Sequence, residues 1–347
     1  MRRLFTDRDK EENVMRSQLR SRGIGRLFFV ILLPVLLSMY GCGGGGGDGG
    51  GASSGITYSG ITTQAVINQT NATDIAKGAY TGGQIGGSLG SLGAVQETEI
   101  DRPRCLQLTR AIEEAIRQID VHAPPRVVAS GAIVSESGSI PGSCGGTASY
   151  AVQADDTTGT FSGNITFNSF CSEGTIINGA AAFSGTININ TGQPSQFTLT
   201  FQSLTATIGA DSSTLDGTLT FIFQGSTSFT ATMEMRLRDN STGKVYRVNN
   251  FVMTVSVASD YVQFELSGRF YDPDYGYVEI STPTPFRINS GQDWPSQGVM
   301  ILTGKTGIAG GSTKARLTVN SATTFVVDAD TNGDGAYDWT SGNMNWQ

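Results

Sequence analysis

From Val127 to the end of the chain, apolar and polar residues alternate. The pattern is plain in Phe161–Phe167, Phe197–Phe201, Leu215–Phe223, Phe229–Leu237, Phe251–Val257 and Val262–Phe270. A period of two sends successive side chains to opposite faces of a strand, so each segment reads as a strand with one apolar and one polar face. Turn sequences separate the segments: Asp156-Thr-Thr-Gly159, Asn190-Thr-Gly192, Asp239-Asn-Ser-Thr-Gly243 and Asp272-Pro-Asp274. Strands joined by short turns pair as antiparallel neighbours. The expected fold is mainly β: a large antiparallel meander of roughly ten to thirteen strands, a sandwich or a curled half-barrel, with one amphipathic helix packed on it.

A weak internal repeat runs through the strands: Phe161-Ser-Gly-Asn-Ile-Thr-Phe167, Phe183-Ser-Gly-Thr-Ile-Asn-Ile189, Leu215-Asp-Gly-Thr-Leu-Thr-Phe221 and the partial Leu266-Ser-Gly-Arg-Phe270. Each places glycine in mid-strand, where it marks a bulge, a bend or a close backbone approach. Repeated bends let a long sheet curl. The uneven spacing argues against a solenoid or propeller. The expected helix spans about 102–120. Cys105, Leu108, Ile112, Ala115, Ile116 and Ile119 form its apolar stripe, Asp101 caps it, and Pro124 and Pro125 end it. A shorter helix is expected over Asn71–Lys77, with Asn71 as cap and Asp74 in its first turn.

The N-terminal region sets the address. Arg20, Arg22 and Arg26 precede a 13-residue apolar run, Leu27–Met39, followed by Tyr40-Gly41-Cys42. A basic flank, a short apolar core and a small residue before the cut make a secretory signal. The run is shorter than the ~20 residues that span a bilayer. Gly41-Cys42 resembles the bacterial lipobox, whose cysteine becomes the diacylated first residue of the mature protein. The expected organisation is a signal peptide over 1–41, lipidated Cys42 with a glycine-rich tether over 42–55, a loosely structured segment over 56–126 and an antiparallel β domain over 127–347. Met1 and Met15 both remain possible starts.

Of 23 basic and 30 acidic residues, eight and four precede Cys42, leaving a net charge of −11 behind it. That balance argues against nucleic acid, which demands clustered Lys and Arg. Membrane attachment would come from the acyl chains, at about 0.8 kcal/mol per buried methylene. Cys144 and Cys171 lie 27 positions apart in the exported part. A bridge between them would stabilise by roughly 3.5 kcal/mol on the loop-entropy model. Cys105 leaves other pairings open.

Near the end of the chain stands Asp330-Thr-Asn332-Gly-Asp334-Gly335-Ala336-Tyr-Asp338. Oxygen side chains at Asp330, Asn332, Asp334 and Asp338, a carbonyl at Ala336 and glycine at the sharp turn suit a compact calcium loop. The nine residues resemble thrombospondin type 3 and dockerin-like loops. Ser341 stands where an EF-hand has its bidentate Glu, so a structural calcium would bind weakly. Asn-Gly and Asp-Gly between strand-like flanks also read as a plain hairpin. Asp272-Pro-Asp274 beside Tyr271, Tyr275, Tyr277, Phe286 and Trp294 suggests either a sugar site or hairpin chemistry. His122 is the one histidine, and no nucleophile elbow, zinc cluster, Rossmann fingerprint or Walker sequence is present.

Segments 139–190 and 260–347 resemble a group of uncharacterised Gram-negative bacterial lipoproteins. The shared elements are S-C-G-G near Cys144, F-S-G-x-I-x-F, F-Y-D-P-D-Y-G-Y-V and the closing D-x-N-G-D-G-x-Y-D-W. The resemblance implies a lipid anchor in the outer membrane, since Gly43 is not the aspartate that retains lipoproteins in the inner membrane. The expected function is that of a non-enzymatic surface or periplasmic binding or structural protein. The alternatives are a carrier of lipid or another small apolar ligand in a curled-sheet cavity, and a glycan hydrolase using Asp272 or Asp274.

Overall fold

A computed structural model describes residues 55–90, 133–155, 157–172, 174–188, 194–224 and 227–346. Cys42 with its leader, Cys105 and the helix expected over 102–120 lie outside these residues.

One antiparallel sheet dominates. Its strands are β1 (Ile133–Pro141), β2 (Gly145–Asp155), β3 (Thr160–Ser172), β4 (Thr175–Ile187), β5 (Pro194–Ile208), β6 (Asp211–Phe223) and β7 (Ser228–Asp239). There follow β8 (Val245–Val257), β9 (Tyr261–Asp272), β10 (Gly276–Asn289), β11 (Gln297–Thr306), β12 (Ser312–Val319), β13 (Thr324–Asp330), β14 (Trp339–Thr340) and β15 (Met344–Asn345). The spatial order is the chain order from β1 to β14, with β15 also on β13. The expected antiparallel meander is therefore present as a single open sheet. The alternation in the sequence becomes alternation in burial: Ile165 and Phe167, Leu199 and Phe201, Leu219 and Phe221, Ala315 and Leu317 face one core.

Helix α1 (Ala72–Gly90) fills the concave side of the later strands. It packs on β7, β8 and β9 and also on β12 and β13. Across a flat sheet, β7 and β13 would stand about 29 Å apart at ~4.8 Å per strand, whereas a helix is only ~10 Å wide. One helix reaches both because the sheet curls around it.

The expected helix ended at Lys77, and Gly82–Gly93 read as a linker. The helix instead runs on through Gly78, Gly82 and Gly83. Each glycine costs about 1 kcal/mol of helix propensity. Here the bare backbone lets the sheet approach: a Cβ would meet the Phe270 ring at Gly78, Val248 at Gly82, and Leu266 with Phe251 at Gly83. Ile75, Ala76 and Ala79 are fully buried on the same helix. Asn71 stands at the cap position, its carbonyl accepting the Ile75 N–H at 3.0 Å. Its side chain turns back, accepting the Asn68 N–H at 2.9 Å and donating to the Val66 carbonyl at 3.0 Å.

A crease of bulges bends the sheet. Ser169, Ser203 and Asn250 adopt left-handed φ values of 48°, 52° and 47°. Gly179, Gly217 and Gly268 on adjacent strands have φ of 116°, 126° and 110°. Pairing register slips at Phe167/Phe170, Phe201/Leu204 and Asn249/Val252. Bulges add a residue to one strand and increase bend and twist. All three φ values favour glycine, and a Cβ at Gly217 or Gly268 would strike the backbone of the neighbouring strand while one at Gly179 would crowd it. The Ser169 N–H donates to Asn178 Oδ1 at 2.8 Å and the Asn250 N–H to Glu234 Oε1 at 2.7 Å.

The four repeat glycines thus divide into two roles. Gly217 and Gly268 lie in the crease. Gly163 and Gly185 form a reciprocal pair: Gly163 sits opposite Phe183, and Phe161 opposite Gly185. A Cβ at either glycine would strike the facing ring. Each aromatic side chain covers the bare backbone of its neighbour.

Candidate functional site

Hairpin turns after β1, β3, β5, β7, β9, β11 and β13 all fall on one rim of the sheet. Three of the features singled out in the sequence lie along this rim: the Cys144–Cys171 pair, the Asp272–Tyr277 turn and the Asp330–Asp338 loop. The turns between even and odd strands form the far rim.

Cys144 and Cys171 are disulfide-bonded, with Cα atoms 5.0 Å apart. The bridge joins the β1–β2 turn to the end of β3, where the Cys144 N–H also donates to the Cys171 carbonyl at 3.2 Å.

A strap, residues 55–68, crosses the rim from the outer face to the core. The Ile56 N–H donates to Asp216 Oδ2 at 3.0 Å on the outside of β6. The Tyr58 hydroxyl is shared between the Ile61 and Asp272 carbonyls, each at 3.0 Å. The Ile61 N–H reaches the Pro273 carbonyl at 3.1 Å, and the Ala65 N–H reaches that of Tyr277 at 2.8 Å. The Lys305 N–H donates to the Ala65 carbonyl at 2.7 Å, and the Ile67 N–H to Thr313 Oγ1 at 3.1 Å. Ala65 and Ile67 are buried, and α1 follows at once. This is the feature that sequence reading missed. Residues 56–71 show no clean periodicity, and the strap is ordered by partners 160 or more positions away.

The five residues expected to line a calcium loop all lie in the turn between β13 and β14, where each carboxylate or amide oxygen is held by the loop's own backbone or side chains. Asp330 is buried, and its two oxygens accept the N–H groups of Gly333 at 2.7 Å and Gly335 at 2.9 Å. Asn332 Oδ1 accepts the Asp334 N–H at 2.8 Å, and Asp334 Oδ1 accepts the Ala336 N–H at 2.8 Å. The Ala336 N–H and the Asn332 side chain hold the Asp334 carboxyl below the usual carboxylate range. Asp338 accepts the Thr331 N–H at 3.2 Å and the Thr331 hydroxyl at 2.8 Å. Among the described residues, no three acidic, His or Cys side chains converge on one point. The oxygens face their own loop instead. The loop is braced from outside, because the Gly311 and Ala309 N–H groups donate to the Gly333 and Asn332 carbonyls at 3.0 and 2.9 Å.

The Asp272–Asp274 turn is also self-contained. Asp272 is 6 % exposed, and its Oδ1 accepts the Asp274 N–H at 2.9 Å. Burial raises its carboxyl above the ordinary value, against the opposing pull of that N–H. Asp274 pairs with Lys244, raising the lysine's pKa. Tyr58, pressed against this turn, is pushed up to about 12 by burial and then by the Asp272 charge. The aromatic group expected here splits in two. Tyr271 and Tyr277 lie apart from the main core, 5.3 Å from each other and under Arg247 and Arg269, with Tyr271 buried beneath Tyr58. Phe286 and Trp294 lie in the core, where Trp294 stacks on Trp346 at 5.4 Å and Phe286 meets Tyr80 at 5.1 Å.

Among the described residues, no helix is long and apolar enough to cross a membrane. Against known proteins, the chain matches no family model, no curated protein and no solved structure.

Proposed function

We propose that the chain is a non-enzymatic, lipid-anchored β protein of the bacterial outer membrane, held by an acylated Cys42 and acting as a binding or structural body. The observation that supports this reading most is the docking of the strap. Immediately behind the glycine tract, the chain is fastened at Asp216 and runs over the rim into the core. A leash so attached joins a membrane anchor to a body it cannot peel open easily. The carrier reading is weaker. The curled interior of β7–β13 is filled by α1 at distances that leave no room for a glycine Cβ. The hydrolase reading is weaker still, since Asp272 and Asp274 spend their oxygens on their own turn and on Lys244.

A structural calcium remains part of the proposal. Asp330, Asn332, Asp334, Asp338 and the Ala336 carbonyl would hold it, after Asp338 releases Thr331. A carboxylate oxygen has further lone pairs beyond one N–H bond, so the backbone contacts of Asp330 leave coordination capacity.

Labelling cells with an alkynyl palmitate and measuring intact mass tests the anchor. The expected product begins at Cys42 and carries acyl chains, and Cys42→Ser abolishes both label and cleavage. An unlabelled chain that keeps its leader would refute the proposed address.

A further inference from the structure

We infer that the disulfide rim is a membrane-contact surface, which seats Ile308, Ile61 and Val66 in the headgroup boundary of a lipid bilayer. The inference rests on the lipid-anchor reading for its setting and on side-chain exposure for its location. Ile308 is 98 % exposed at the tip of the β11–β12 turn. Val66 is 48 % exposed between buried Ala65 and Ile67, so it points off the strap away from the core. Ile61 is 44 % exposed and lies against Gly276 at the start of β10. The strap threads between these turns, bonding to Pro273, Tyr277 and Lys305, which places the three side chains on one end of the molecule. Among the described residues the other large exposed apolar side chains are Ile176, on the same rim, and Ile222, near the far one. The far-rim turns are built mainly from Ser, Thr, Asn, Gln and Asp.

An aliphatic side chain held in water at a turn tip gains nothing from the fold and gains from burial elsewhere. The chain outside the structure supplies the occupant. A stretch of twelve residues, the number from 43 to 54, can reach at most about 40 Å at ~3.4 Å each. From Asp216, where Gly55 docks, the six residues to the β5–β6 turn cover only about 20 Å. A leash of that length lets the rim rest on the bilayer that holds its other end. The rim carries Asp274, Asp334 and Asp338 against Lys244 and Lys305. That balance selects zwitterionic headgroups over anionic ones, which would repel it.

The test uses the full chain in a Cys42→Ser, Cys105→Ser background, labelled with an environment-sensitive dye at Ile308→Cys or, on the far rim, at Ser321→Cys. It is bound to phosphatidylcholine vesicles containing a little nickel-chelating lipid, through a histidine tag within the glycine tract. The tag holds the chain on vesicles even where Cys42 is not acylated, so the two readings fail separately. The expected result is a blue shift and quenching by spin-labelled lipid at 308, with neither at 321. Phosphatidylglycerol should weaken the response at 308. The double variant Val66→Ser with Ile308→Ser, labelled at Ile61→Cys, should partition about tenfold less than its parent. A water-like signal at 308 on vesicle-bound chain overturns the inference and leaves the anchor untouched. Equal shifts at 308 and 321 overturn it too, since the contact would then have no preferred rim. A bare Cys42 in the parent chain by mass, with the 308 shift intact in the labelled variant, refutes the anchor and keeps the rim.

Discussion

The early and late strands bury the same kind of apolar face with different partners. In β3–β7 the described contacts are ring on ring along the sheet: Phe161 stacks with Phe197 at 6.1 Å and Phe197 with Phe221 at 6.4 Å. In β7–β13 the face wraps a glycine-notched helix, and Tyr80 joins Phe264, Phe286 and Trp346. The outer faces differ as well. Ser162, Ser184, Thr198, Thr220 and Thr232 stand in register, an uncharged hydroxyl row. The later strands instead set Arg287 over Tyr261 at 3.9 Å, Arg269 over Tyr277 at 4.2 Å and Arg316 over Tyr337 at 4.1 Å. Strand periodicity is indifferent to what fills the concave side, so one pattern supports a sheet that packs on its own rings and one that packs on a helix.

The sharpest way to break this contrast is to cut the helix contact. Ile75→Ala should cost about 3 kcal/mol, as a fully buried aliphatic truncation does. Hydrogen exchange should rise in β8–β13 before β2–β6; uniform acceleration would mean that both halves lean equally on α1. Replacing Cys144 and Cys171 by Ser should cost about 3 kcal/mol and act on β1–β4 first. Denaturant melts with regional exchange would read both effects. Gly217→Ala forces a Cβ into the Met235 backbone at a positive φ, and should cost about 2 kcal/mol. A thermal melt as stable as the parent would dismiss the crease as a structural requirement.

The smallest effect concerns the rim. Asp272 has a raised pKa in the fold. A group raised on folding favours the fold while protonated, below its unfolded value near 3.9, and loses that favour as pH climbs through the folded value. At neutral pH the buried charge therefore opposes folding. Asp272→Asn should raise stability at pH 7 by about 0.5 kcal/mol, with the gain shrinking as pH falls toward 4. Calcium sharpens the same region. Millimolar calcium should raise the melting temperature by a few degrees, through Asp330, and Asp330→Asn should erase the shift. No shift with the parent chain would end the calcium proposal.

The disulfide and the strand spacing were readable because a cysteine pair and a period of two are local signals. Alternation fixed which residues of β2–β13 face inward, and short turns fixed their antiparallel order. The mid-strand glycines announced bends but not that Gly163 and Gly185 would serve the facing rings, since that depends on cross-strand register. Nor did Ala72–Gly90 look like a core helix: its glycines lower helix propensity, and only a sheet curled around it makes their small size an advantage. The strap and the shared rim were likewise decided in three dimensions. Tyr58, Ala65 and Ile67 find partners at Asp272, Lys305 and Thr313, and hydrogen bonds across such separations leave no trace in the order of residues. The chain's own letters dictated strands, turns and one covalent link; packing alone decided what the curled face enclosed and which side chains were left over at its edge.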